Sequence, residues 1–349
     1  MGKRAKSLGV TLRPVAAAAL GLVLGVLVTA LAGENPVYVL NVLWNGAFGS
    51  AYHFGMTLFY ATPLVLTGLA VALPFRAGLF NIGAEGQLIM GALGATLVGI
   101  FGVGLSPWLG VPLAIVVAFA AGASWGFIPG WLKAYRGSHE VITTIMLNFV
   151  AAGLTSWAVL YVVRSTDSQN PESAPIDPAF LLAPIRAFDG APVTGVLFFV
   201  LIVAVLVWAL LKYSTRGFEI RAVGAAPEVA ETSGIDARRN QVLAMALAGG
   251  IAGLVGVVEV LGNSGRFRLG FSPDYGFIGI PVALLARSHP LGLILSALLF
   301  GALHKGASEL DLETTNVTRD LSYVIQALVI LAVSAEAGFT RWRQRCSSK

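Results

Sequence analysis

The sequence predicts an all-α fold, a polytopic integral membrane protein of about ten transmembrane helices. Three observations carry that prediction. Of 349 residues, 56% are hydrophobic and only 12% are charged, about half the charged share of an ordinary soluble domain. The apolar residues come in long runs, most of them near the roughly 20 residues that cross a bilayer. The basic residues sit in the short breaks between runs, where orientation signals belong. A water-soluble domain of this size cannot cover so much apolar side chain, because its surface needs polar residues. The 41 glycines lie largely inside the apolar runs, where they permit close helix packing and broken helices.

In chain order the predicted spans are 14–32, 55–75, 82–101, 108–131, 141–163, 193–211, 241–261, 275–287, 290–304 and 321–338. The first follows Lys3, Arg4 and Lys6 and ends in Ala30-Leu31-Ala32, a signal-peptidase-like triplet. Its apolar run exceeds the roughly 7–15 residues of a signal h-region, so it reads as an uncleaved first span. The eighth and ninth are short, and are either two tilted spans or the arms of a re-entrant hairpin. With the N-terminus placed in the cytoplasm, the inside segments hold Lys3, Arg4, Lys6, Arg13, Arg76, Lys133, Arg136, Lys212, Arg216, Arg221, Arg238, Arg239, Arg287, Arg341, Arg343, Arg345 and Lys349, 17 of the 23 basic residues. The outside segments hold Arg164, Arg186, Arg266, Arg268, Lys305 and Arg319. That asymmetry predicts an even number of crossings with both termini cytoplasmic.

Two connections are long. The outside loop 164–192 is rich in Pro, Asp and Ser, has no apolar period, and reads as an irregular cap. The inside loop 212–240 carries Pro227-Glu-Val-Ala-Glu-Thr-Ser-Gly234. Pro227 suits a first helical turn, Glu228 and Glu231 complement the N-terminal dipole, and Gly234 suits a C′ stop. A short exposed helix between two spans is a surface for a cytosolic partner.

Polar residues at membrane depth are functional suspects. Phe80-Asn-Ile-Gly-Ala-Glu-Gly-Gln87 follows Pro74 and is framed by Gly78, Gly83, Gly86 and Gly91. Unwound backbone at this depth is tolerated only inside protein or beside water. Asn81, Glu85 and Gln87 therefore either face a cavity or brace a hinge, and Glu85 also fits a plain helix start stabilised by the dipole. In Ser138-His139-Glu140-Val-Ile-Thr143-Thr144-Ile-Met-Leu-Asn148, Thr144 and Asn148 share one helix face. The threonines bond either outward or back to their own helix. Asn148 is either helix–helix glue or a cargo contact. Glu259, among Gly253, Gly256 and Gly262, bonds helix to helix, pairs with Arg266 or Arg268, or lines a pathway.

Other classes are disfavoured. The net charge of +5 is spread between spans, which does not point to nucleic acid. The lone Cys346 permits no disulfide within the chain and reads as a spectator thiol. His53, His289 and His304 lack metal-ligand spacing and read as structural or interfacial, and His139-Glu140 is a weak acid–base pair. Trp44, Trp108, Trp131 and Trp157 fit interface belts. No P-loop, H-E-x-x-H or G-x-S-x-G motif is present, so no catalytic or metal residue is assigned.

Phe75-Arg-Ala-Gly-Leu-Phe-Asn-Ile-Gly-Ala-Glu-Gly-Gln87 resembles the signature of bacterial ABC-transporter permeases for nucleosides, within the larger group that includes ribose and branched-chain amino-acid importers. Ser138–Asn148, Thr215-Arg-Gly-Phe-Glu-Ile-Arg-Ala-Val-Gly224 with Ser233-Gly-Ile235, and Phe277–Ala286 with His289-Pro-Leu-Gly292 resemble three further blocks, in family order. The resemblance implies one permease domain over 1–349 with its core at 55–338. It implies a second related permease, two ATPase subunits that bind the ATP, an extracytoplasmic substrate-binding lipoprotein, and a place in the bacterial cytoplasmic membrane. No cofactor is implied for this chain itself. The family's coupling helix falls on Pro227–Ile235, and with the preceding block the resemblance implies Arg216, Gly217, Arg221, Glu228, Glu231 and Gly234 as the ATPase-coupling residues. The expected pathway lining is Asn81, Glu85, Gln87, Thr144, Asn148 and Glu259. Where the family usually has two adjacent alanines, this chain has Ala230-Glu231, which bears on the fit to the ATPase groove. Competing readings are a permease for a simple sugar or other small polar solute, a self-contained secondary carrier, and an intramembrane enzyme. A carrier needs inverted repeats and ionisable coupling sites, and no repeat is visible.

Overall fold

The computed structural model describes residues 16–321, 323–333 and 335. The basic residues at 3–13 and 341–349, Cys346, and the terminal ends of the first and last predicted spans lie outside them. Among the described residues the chain is helical, with only isolated antiparallel bridges in the connections. Seven helices among the described residues are long and apolar enough to cross a membrane: α3 (Ala51–Arg76), α4 (Ala84–Phe101), α5 (Pro107–Arg136), α6 (Glu140–Val162), α7 (Val196–Tyr213), α10 (Ala237–Ser264) and α12 (Gly292–Glu313). Three shorter apolar helices are α1 (Ala16–Ala32), α11 (Tyr275–Leu285) and α13 (Tyr323–Val333). Each of these ten overlaps one of the predicted segments, and seven of them have span length. The predicted short pair proves unequal: α11 has 11 residues, whereas α12 has full span length.

Among the described residues three further α-helices lie between them. α2 (Pro36–Phe48) was not anticipated. Its 13 residues rise only about 20 Å, less than a span requires. Asn35 caps it, its Oδ1 accepting from Val37 N at 2.9 Å, and Pro36 occupies the first turn. α8 (Thr215–Ala225) and α9 (Pro227–Thr232) form the long connection after α7. Ser214 Oγ caps α8 by accepting from Gly217 N at 2.9 Å. α9 is the predicted short helix, with Pro227 in its first turn and Gly234 at φ +79° just beyond.

The chain forms two compact units, one of residues 1–61 and 298–349, the other of residues 62–297. In the first, Gly25 of α1 packs against Ile325 of α13, and Glu34 Oε1 accepts from the Thr315 and Asn316 amides at 3.2 Å. Buried Lys305 pairs with Glu309 one turn on. The His304 and Tyr60 rings meet tilted, centroids 4.4 Å apart, and His53 Nδ1 meets the Asn45 carbonyl at 2.9 Å.

The second unit is built on α4, α5 and α10. On α5, Ala114, Ala118, Gly122, Gly126 and Gly130 are spaced four apart and are buried. They meet Met245, Gly249 and Gly253 of α10 so closely that a side-chain carbon on Gly122 would collide with the Gly249 carbonyl. Gly91 of α4 touches Gly253 in the same way. Such small-residue ladders let backbones pack directly, which drives helix association where there is no water to expel.

The connection 164–192 is an irregular cap stitched to residues 261–268. Ser173 N donates to Phe267 O at 2.9 Å, Ile176 N to Gly265 O at 2.9 Å, and Leu182 N to Leu261 O at 2.9 Å. Buried Glu172 meets Arg266 at 2.6 Å and Arg268 at 3.5 Å. A hydrogen bond from Ser168 and these two guanidinium groups hold its carboxyl below the ordinary value, against the opposing effect of burial. At the other end of this unit lie Arg76, Lys133, Arg136, Lys212 and α8. Arg76 donates to Ser288 O at 2.8 Å, and Arg238 lies over the Tyr135 ring.

Candidate functional site

The site begins where α3 stops. Gly78 adopts φ +74°, the left-handed conformation a glycine tolerates, and the chain then runs without helix to Ala84. Asn81, fully buried, organises this loop. Its Nδ2 donates to Ala70 O at 3.1 Å and to Gln87 Oε1 at 2.9 Å. Its Oδ1 accepts from Gly83 N and from Gln87 Nε2, both at 3.1 Å. The two amides thus close a reciprocal pair, replacing the hydrogen bonds that unwinding the helix gave up.

Asn148 of α6 completes the brace. Its Oδ1 accepts from Gly86 N at 2.8 Å and its Nδ2 donates to Ile82 O at 3.0 Å. One side chain thereby ties α6 to both sides of the α4 start. Thr144, one turn earlier, presents its Cβ to Gly83. Its hydroxyl bonds back to Glu140 O at 2.8 Å and Val141 O at 3.0 Å. Glu140 pairs with Lys133 across the α5–α6 turn at 2.8 Å, so its charge partner is Lys133.

Glu85 sits in the first turn of α4, and its Oε2 accepts from Gly276 N at 2.7 Å, the second residue of α11. Gly276 lies so near α4 that a side chain there would overlap the Glu85 backbone. The same carboxylate lines a cavity of about 140 Å³ with Thr155, Ser156, Phe267, Phe271 and Ser272. Phe267 and Phe271 meet edge-to-face at 5.4 Å. Glu85 thus stands both in the first turn of α4 and on the wall of this cavity. Glu259 is buried in the π-helical end of α10, where its Oε2 accepts from Asn263 Nδ2 at 3.2 Å. The alternative pairing with Arg266 or Arg268 is corrected: both arginines engage Glu172.

The residues expected to couple to the ATPase lie at the basic end. Glu228, Glu231 and Gly234 are exposed, as is Val229 at 64%. Ala230 is buried with Val223 and Ala237, which fixes α9 to α8 and α10. Of the two positions where the resemblance expects alanines, the packed one is therefore alanine, and the exposed one is Glu231. Arg216 pairs with Glu219 at 2.9 Å, Asn240 donates to Glu219 at 3.2 Å, and Arg221 Nε donates to Gly217 O at 3.2 Å. Gly217 abuts the Leu210 carbonyl, and Gly224 abuts the turn at Arg76–Gly78.

Sequence reasoning missed Gly276 and the 267–272 stretch, which only tertiary packing brings to Glu85. Thr155 was within reach, because the face of Thr144 and Asn148 continues through Ala151 to Thr155 at helical spacing. No group of three or more His, Cys, Asp or Glu residues suited to a metal exists among the described residues.

Residues 53–334 match the family described as "Branched-chain amino acid transport system / permease component". The chain is 38% identical over 333 residues to the guanosine ABC transporter permease protein NupP of Bacillus subtilis (strain 168), covering 95% of this chain and 94% of that one. It is 37% identical to the glucose ABC transporter permease protein TsgB13 of Haloferax volcanii, covering 92% and 88%. It is 33% identical to the nucleoside ABC transporter permease protein NupB of Lactococcus lactis subsp. cremoris, covering 93% and 90%. The apolar helices, the polar break before α4 and these matches together place the chain in the branched-chain amino acid transport system permease component family, as a multi-pass membrane permease.

Proposed function

We propose that this chain is the permease subunit of an ATP-binding-cassette importer that moves nucleosides across the bacterial cytoplasmic membrane. The observation that supports this most is the near full-length likeness to NupP, with NupB beside it. The cavity at Glu85 is consistent with it. A nucleoside leaving water needs hydrogen-bond partners for its hydroxyls and base edge, and Glu85, Thr155 and Ser156 offer them beside two phenyl rings.

The complex would contain a second related permease, two ATPase subunits that bind and hydrolyse ATP, and an extracytoplasmic binding lipoprotein. The basic end of α5, α7 and α10 would face the cytoplasm, with both termini inside. ATP drives transport only if it stabilises inward- and outward-open states unequally. Movement of α9 with the ATPases would pass through α8 to the Arg76–Gly78 turn, and so to the Asn81–Gln87 loop. Asn81, Gln87, Asn148 and Thr144 then hold the loop, while Glu85 faces the cavity and Glu259 stands farther along α10.

Likeness to TsgB13 favours glucose as a second reading. Uptake of labelled guanosine, other nucleosides and glucose by the reconstituted complex separates the two. ATP-dependent nucleoside uptake is expected, and glucose uptake without nucleoside uptake would overturn the cargo assignment.

A further inference from the structure

The outer flank of the α5–α10 seam carries a groove in two adjoining stretches. At the basic end, about 500 Å³ is enclosed by residues that include Trp131, Tyr135, Arg216, Arg239 and Leu243. Beyond it, about 430 Å³ is walled entirely by apolar side chains, among them Val116, Phe119, Leu206, Leu247 and Ile251. Arg239, Leu243, Leu247 and Ile251 are four apart on α10, so both stretches follow one helix face. From Arg239 to Leu254 that face runs about 22 Å at 1.5 Å per residue, more than half the roughly 30 Å hydrocarbon thickness.

The mouth is cationic. Arg238 lies over the Tyr135 ring at 6.0 Å and Arg136 over the Trp131 ring at 5.7 Å. Arg216 is partly neutralised by Glu219 at 2.9 Å. Among the described residues no carboxylate pairs with the Arg239 guanidinium. A guanidinium fork matches phosphate geometry. Trp131 and Tyr135, 37% and 50% exposed, are the ring types that settle at headgroup depth.

We propose that this groove is a binding site for one anionic glycerophospholipid, its phosphate between Arg239 and Arg216 and an acyl chain along the Leu243–Leu254 face. A soluble phosphate compound leaves the apolar stretch unfilled, and a zwitterionic lipid leaves the arginine excess unmatched. The site is separate from the Glu85 cavity and holds whatever the cargo is.

The test uses the full chain with its co-purifying subunits, taken from vesicles of equal parts phosphatidylglycerol and phosphatidylcholine and weighed intact by native mass spectrometry. Phosphatidylglycerol is expected to be retained about five-fold over phosphatidylcholine, the preference one arginine gives near an anionic surface. Arg239→Gln should abolish the preference, Ala246→Trp should fill the groove and release both lipids, and millimolar inorganic phosphate should displace neither. Equal retention of the two lipids, an unaltered preference in R239Q, or displacement by phosphate alone would overturn the proposal. R239Q changes an exposed side chain, so it decides the matter even if A246W fails to fold.

Discussion

Gly224, one residue from the end of α8, rests on the turn that follows α3: a side-chain carbon there would lie 2.9 Å from the Gly78 amide nitrogen and collide with the Arg76 carbonyl. The helix pair expected to meet the ATPase thus touches, backbone to backbone, the segment that leads into the Asn81–Gln87 loop. Backbone contact passes displacement on directly, because no rotamer intervenes to absorb it.

Gly224→Ala is therefore expected to separate α8 from that turn. ATP-dependent uptake should fall by about ten-fold, equivalent to ~1.4 kcal/mol, while the chain still inserts and still purifies with its partners. Glu231→Arg, on the exposed face of α9, should lower cargo-stimulated ATP hydrolysis without shifting Tm. Unchanged coupling in both variants would separate α8–α9 from the drive.

Asn148→Ala removes two hydrogen bonds and leaves the Gly86 N–H and Ile82 carbonyl without that partner. A loss of about 1–3 kcal/mol is expected, visible as a lower Tm in detergent. Asn148→Asp keeps the acceptor for Gly86 but sets an oxygen against the Ile82 carbonyl, so it should not restore stability. A Tm unchanged by either substitution would show that α6 does not brace the loop.

Glu85 has two separable tasks. Glu85→Gln retains an acceptor for Gly276 N–H but replaces a carboxyl oxygen on the cavity wall with an amide NH2; Glu85→Ala removes both oxygens. The alanine variant should lower Tm, whereas the glutamine variant should keep it and raise the nucleoside KM about ten-fold, ~1.4 kcal/mol of binding. A glutamine variant with unaltered KM would leave Glu85 a purely structural anchor.

The Glu172 cluster predicts a pH effect outside the spans. Its folded carboxyl titrates below the ordinary value, so its stabilisation is complete above the unfolded pKa of about 4.3. That contribution is lost as pH falls from there through the folded pKa. Proteolysis within 164–192 should accelerate over that acidic window, and Glu172→Gln should flatten the dependence. Acceleration centred near neutral pH would point to another group.

The helices were legible where the bilayer dictates composition: the apolar runs gave ten segments, and the basic residues between them gather at one end of α5, α7 and α10. Asn81, Gln87 and Asn148 stood out because buried amides require partners, yet no spacing rule names which partners. α2 escaped because a 13-residue helix falls below the span length. α8 escaped because glycine has low helix propensity, whereas in place Gly217 and Gly224 are the surfaces pressed against Leu210 and Arg76. The 267–272 part of the wall around Glu85 comes from residues more than 180 positions away, a juxtaposition that only the folded chain creates.

The glycine ladder between α5 and α10 has a mechanical consequence. A seam with almost no side chains offers no soft material to shear, and its carbonyls key into the facing helix like teeth. Such a joint either stays locked or jumps a full turn; it cannot creep. α4, α5 and α10 therefore behave as a single girder, and the compliance needed for alternating access must come from the parts hung on it. The α4 entry loop, held by the side-chain amides of Asn81, Gln87 and Asn148, and the side-chain-lined flank toward α7 are where this permease has room to bend.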